Sequence, residues 1–149
     1  MDFNDYENLG RRRLTMVFPT IDWSFTEDPN CSYDAYAQHN NKFVIAEIKN
    51  RNLNSFKYST CFLELNKAIS NLTYNDVDTV LYVVHYQDNI TATWNLTNMN
   101  LFENYEVSST KMNEKTAENT GKIKKEVYEL KLSDADLRQT ATGKKIIKQ

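Results

Sequence analysis

The sequence predicts a mixed α/β domain, and three observations predict it. Two runs, "KFVIAEIK" and "DTVLYVVHYQ", are apolar on both faces of an alternating strand, the pattern of strands buried inside a sheet. Two other segments, 4–18 and 55–72, space their apolar residues at the helical period. The order along the chain is helix, strands, helix, strands. At 149 residues the chain suits one domain, 1–149, with a core over about 4–100 and a β extension over about 101–149.

Taken in order, 4–18 ("NDYENLGRRRLTMVF") sets Tyr6, Leu9, Leu14, Val17 and Phe18 on one side of a helix. Asn4 suits its N-cap, with acids early and arginines later, as the helix dipole favours. "TIDWSF" is a short strand and "EDPN" a turn. "CSYDAYAQ" and "KFVIAEIK" are strands on either side of "HNN". "SFKYSTCFLELNKAISNL" reads as a helix with Phe62, Leu65, Ile69 and Leu72 at helical spacing. "DTVLYVVHYQ" is a strand that "ITATWNLT" pairs with. The remainder is two strands, "NYEVSST" and "KEVYELKLS", joined by the lysine- and glutamate-rich "KMNEKTAENTGKIK", which reads as a long mobile connector.

A net charge of −2 argues against a broadly basic nucleic-acid-binding surface. It leaves "GRRRL" (Arg11, Arg12, Arg13) and the tail "GKKIIKQ" as local basic patches, each equally readable as a solvated helix face or a frayed terminus. Cys31 and Cys61 have neither CxxC spacing nor a histidine in metal-finger register, which argues against zinc. The N-terminus is polar and acidic rather than a signal peptide, and no apolar run nears membrane-spanning length. The expectation is a cytoplasmic protein with no membrane partner. His39 and His85 have no positioned serine or cysteine with which to form a triad.

The chemistry gathers at "FVIAEIKN". Phe43, Ile45, Glu47 and Lys49 share one strand face, so two ionisable groups project from a face that begins as core. Buried charge is costly unless it is paired or holds a metal. With Asn40 and Asn41 as the turn residues, His39 faces Lys42, Asp34 falls opposite Glu47, and Ser32 opposite Lys49. Like charges set directly across strands repel, and a divalent cation resolves the repulsion.

Asp34, a gap of twelve residues, then Glu47-Ile48-Lys49 resembles the D…ExK signature of the PD-(D/E)xK nuclease superfamily. The residue before Asp34 is tyrosine rather than proline. "CFLELNKAI" is similar to the second-helix pattern of some small phage-type members. The resemblance covers about residues 4–90. It implies a restriction-endonuclease-like α-β-β-β-α-β core, a mixed β-sheet flanked by helices, here followed by a C-terminal β-hairpin. It further implies Mg2+- or Mn2+-dependent hydrolysis of DNA phosphodiester bonds, with a homodimer left open. Asp34, Glu47 and the Ile48 carbonyl would hold the metal, and Lys49 would orient or deprotonate the attacking water. Glu7 is the candidate for an extra acid on the first helix. Glu64 and Lys67, one turn apart, would line the opposite wall, and Arg11, Arg12, Arg13 and Lys67 would bind substrate. The competing reading is a binding module that keeps the nuclease scaffold without turnover.

Overall fold

The structure, a computed structural model, describes residues 3–115 and 118–146, with the side chains of 3, 112–115 and 118–122 left aside. It is an α/β fold with two sheets. Helix α1 (Phe3–Val17) is followed by β1 (Ser24–Phe25), β2 (Ala35–His39), β3 (Lys42–Arg51) and β4 (Thr60–Glu64). Then come α2 (Leu65–Leu72), β5 (Thr79–Tyr86), β6 (Ile90–Asn95) and the single-turn α3 (Leu101–Asn104). The chain continues as β7 (Val107–Lys115), β8 (Glu118–Lys131), a 3-10 turn (Leu132–Asp134) and β9 (Asp136–Gln139). The larger sheet has six strands in the order β1-β2-β3-β5-β6-β9, and the smaller has three in the order β4-β8-β7.

The hairpin register follows from two asparagines. Asn40 and Asn41 sit at φ 52° and 64°, the left-handed pair that a two-residue primed turn demands, and asparagine is among the few non-glycine residues that adopt it readily. His39 therefore faces Lys42, and the pairing runs outward to Ala35 and Ala46 as the sequence predicts. Strand β3 is interior: antiparallel to β2 on one side and parallel to β5 on the other, with α2 in the crossover. A parallel neighbour requires such a crossover, and that accounts for the helix between them.

Two apolar cores lie on opposite faces of this sheet. Val44 and Ala46 of β3 pack with Leu14, Trp23, Leu81 and Val83 under α1. Ile45 packs with Tyr82, Val84 and Trp94 against Cys61, Leu63, Tyr128 and Leu130 of the smaller sheet. Glu47 and Lys49 share parity with Ile45, so they lie on the face turned toward α2 and the smaller sheet.

Several elements differ from expectation. Helix α1 already includes Phe3, so Asn4 is inside it rather than at its N-cap. Residues 31–34 are outside β2, and Ser32 bonds the Tyr74 hydroxyl (3.0 Å) instead of facing Lys49. The predicted helix over 55–72 is helical only from Leu65. Thr60–Glu64 is a strand with Cys61 and Leu63 buried, because β8 offers it a pairing partner. The lysine-rich connector is strand over 111–115 and 118–124; its residues 116–117 lie outside the described residues. In the tail, Gly143 turns at φ 68° and Ile146 N–H donates to Leu137 O (2.8 Å), so this part is tied to β9 rather than frayed; residues 147–149 lie outside the described residues. No helix among the described residues is long and apolar enough to cross a membrane.

Candidate active site

Glu47 is placed by the most buried part of β3. Its residue is 5% exposed, and Oε2 is buried with no hydrogen-bond partner among the described residues. The Lys67 ammonium, from the first turn of α2, stands 4.0 Å from Oε1. Burial pushes the Glu47 carboxyl up to about 7; the Asp34 and Glu64 charges add to the rise, while Lys67 and Lys49 oppose it.

Asp34 arrives just before β2. Its N–H donates to the Ala46 carbonyl (2.9 Å), one residue short of Glu47, so the ladder stops before the direct Asp34–Glu47 rung the sequence predicts. The side chain instead reaches along β3, where Oδ2 accepts the Ile48 N–H at 2.7 Å. Burial raises this carboxyl above its ordinary value, against the Ile48 hydrogen bond and the charges of Lys67, Lys49 and Arg11. Lys49, two residues beyond Glu47, has its ammonium pushed down by burial, with Glu47 and Glu64 pulling it back up. Asp34, Glu47, Lys49 and Lys67 thus act on one another as one electrostatic group.

Glu64 and Lys67 both reach this group, in different ways. Glu64 is the residue preceding α2 and holds the Lys125 ammonium of β8 at 2.6 Å. Burial raises the Glu64 carboxyl, but the Lys125 hydrogen bond and the charges of Lys49 and Lys67 outweigh it and leave the carboxyl low. Lys67 pairs with Glu47 and stays partly exposed. Lys125 is the residue that sequence reasoning missed. It opens the predicted strand "KEVYELKLS", just past the supposed connector, and nothing local signals that it reaches Glu64, 61 positions earlier.

The helix α1 candidates scatter. Arg11 donates to Thr26 O (2.8 Å) and stacks over the Phe25 ring, tying α1 to β1 beside Asp34. Arg12 points to solvent. Arg13 donates to Tyr86 O (2.7 Å) and Thr140 Oγ1 (2.9 Å), on the far side of α1. The three arginines therefore make no single patch. Glu7 is exposed one turn before Arg11, without an ion pair among the described residues.

Behind the sheet, His85 is fully buried between α1 and β6. Nε2 lies 3.1 Å from Gly10 O, and Nδ1 lies 2.7 Å from Thr91 Oγ1, which is 2.8 Å from Thr140 Oγ1. With Arg13 donating to Thr140, the donors run in one direction: Thr140 to Thr91, Thr91 to Nδ1, and Nε2–H to Gly10. Burial, with the Arg13 charge added, lowers the imidazole to about 3 and keeps it neutral. This is a structural histidine. The chain matches no protein-family model, and no curated protein matches it.

Proposed function

We propose that this protein is a metal-dependent nuclease that hydrolyses phosphodiester bonds in DNA. The observation that carries the reading is Glu47: a carboxyl buried on an interior strand, pushed up to about 7 by that burial, with one oxygen that has no hydrogen-bond partner among the described residues. Native proteins rarely bury such an oxygen without a purpose, and perturbed acids gathered with a lysine mark functional sites. The succession of α1, the β1-β2-β3 meander, α2 and a β5 parallel to β3 supports the α-β-β-β-α-β reading, with β4 as an insertion.

The donor chemistry suits Mg2+ or Mn2+. Asp34 and Glu47 are hard oxygen ligands, the Ile48 carbonyl adjoins them, and these ions take few protein ligands and keep several waters. No group of three or more His, Cys, Asp or Glu side chains that could hold a metal is found among the described residues, so this reading rests on the Asp34 and Glu47 carboxylates alone. A bound cation would supply Lewis-acid stabilisation of phosphoryl charge and an acidified water. Glu47 must be ionised to serve it, so the site gains competence as pH rises through 7. Lys49, its ammonium pushed down by burial, is suited to accept or relay a proton and to face charge developing on the phosphate. Lys67 offers its partly exposed ammonium to the substrate backbone.

A second reading, a binding module without turnover, is favoured by one observation: Lys67 already balances part of the Glu47 charge. Plasmid cleavage in Mg2+ or Mn2+, with and without chelator, separates the two. Chelator-sensitive nicking by the wild type, absent from Asp34→Asn and Glu47→Gln, is expected. DNA binding without cleavage in either metal would transfer the protein to the second reading.

A further inference from the structure

Strand β8 runs for 14 residues, yet only Val127–Lys131 pair with β4. Beyond them β7 and β8 continue as a two-stranded ribbon past the start of α2, with the rungs Ser109–Glu126, Thr110–Lys125 and Lys111–Lys124. A ribbon without a third strand is marginal in water. This one carries a repulsive rung: Lys111 and Lys124 are direct cross-strand partners, and like charges placed so destabilise a sheet. Neither lysine forms an ion pair among the described residues. The single acid one rung nearer the body on that face, Glu126, is not paired with them either.

Direction follows from parity. Lys124 alternates in step with Tyr128 and Leu130 and out of step with Lys125, so the Lys111–Lys124 rung lies on the ribbon face opposite the Lys125 contact with the site that carries Glu47 and Lys49. The base of the ribbon is fixed to that site by Lys125 on Glu64. From Lys111 to Lys125 the sequence holds five lysines and two glutamates, in a chain whose net charge is −2.

We propose that the β7–β8 ribbon grips duplex DNA, entering the major groove with Lys111 and Lys124 on backbone phosphates, an inference that rests on the nuclease reading for its nucleic acid. The B-form major groove, about 12 Å wide, admits a two-stranded ribbon, whereas the major groove of duplex RNA is too narrow and a single strand has none. Polyanion binding also relieves the repulsion that the free ribbon carries.

The test is anisotropy of a labelled DNA duplex, its single strand and the matching RNA duplex, titrated across salt without divalent metal. Wild type is expected to favour the DNA duplex. A Lys111→Gln, Lys124→Gln variant should keep or slightly raise its melting temperature, because a repulsion is gone. Its salt slope should flatten by about 1.8, on the order of tenfold in affinity at low salt, since each phosphate contact contributes about 0.9. Lys111→Arg with Lys124→Arg should bind as wild type. If the double glutamine variant loses its fold, Lys124→Gln alone, expected to flatten the slope by about 0.9, decides. An unchanged slope, equal binding of the single strand or RNA duplex, or no duplex binding by wild type overturns the proposal. Binding with the expected slope change but no cleavage in metal would overturn the nuclease reading alone. Cleavage with an unchanged slope would overturn the ribbon alone.

Discussion

At the scale of single residues, two buried groups titrate in opposite senses, and their pH dependences separate them. Burial raises Glu47 from its ordinary 4.5 to about 7, so the folded protein holds that proton more tightly than the unfolded chain. Ionisation then opposes folding, and stability falls as pH rises from 4.5 to 7. His85 is lowered from 6.5 to about 3, so the unfolded chain takes the proton first and stability falls as pH drops from 6.5 toward 3. Between 4.5 and 6.5 the two slopes partly cancel. Glu47→Gln, measured by denaturant unfolding from pH 4 to 8, should match wild type near pH 4 and exceed it at pH 8 by roughly 1–3 kcal/mol, while losing metal response. A variant destabilised at every pH would mark Glu47 as a structural ion-pair member. Lys49→Ala should leave metal binding in place and slow cleavage by about a hundredfold or more, with little recovery in Lys49→Arg, whose planar guanidinium neither fits the same point nor yields a proton. Wild-type turnover in Lys49→Ala would remove the lysine from the mechanism.

At the scale of elements, the β2-β3 turn aims the site, because register decides which face Glu47 occupies; a one-residue slip would send it under α1. Asn40 and Asn41 both hold positive φ, and glycine takes the second position of such a turn more easily. Asn41→Gly should therefore raise stability by up to about 1 kcal/mol with cleavage unchanged, read as a shift in melting temperature. A loss would show that the Asn41 side chain contributes more than its backbone angle costs. Helix α1 is held close by Gly10, where an added Cβ would stand 2.8 Å from Asn50 Nδ2 and 3.0 Å from Ile48 Cγ2. Its arginines serve this packing: at 100° per residue, three consecutive side chains cannot share one face, and Arg11 and Arg13 are spent on Thr26 and Tyr86.

For the whole molecule, the proposed nuclease reading would link folding, metal and proton through one site. A cation that needs ionised Asp34 and Glu47 should raise the melting temperature with millimolar Mn2+ at pH 8 and much less at pH 5.5, where Glu47 holds its proton; equal shifts at both pH values would place the metal elsewhere. The sequence by itself determined what depends on neighbours along the chain. The paired asparagines set the hairpin register, unbroken apolar character marked β3 and β5 as interior strands, and alternation put Glu47 and Lys49 on one face. Only the tertiary structure decided what depends on distant partners. Thr60–Glu64 is strand rather than helix because β8, more than sixty residues on, offers a ladder to its backbone. "KMNEKTAENTGKIK" has the composition of a linker, yet its described residues form strands because composition does not report a cross-strand partner. Asp34 stopped short of its expected rung because its carboxylate found the Ile48 N–H, and Lys125 joined the site only through Glu64. Periodicity records burial, which a single segment can encode, whereas pairing is a property of two segments and becomes visible only when both are in place.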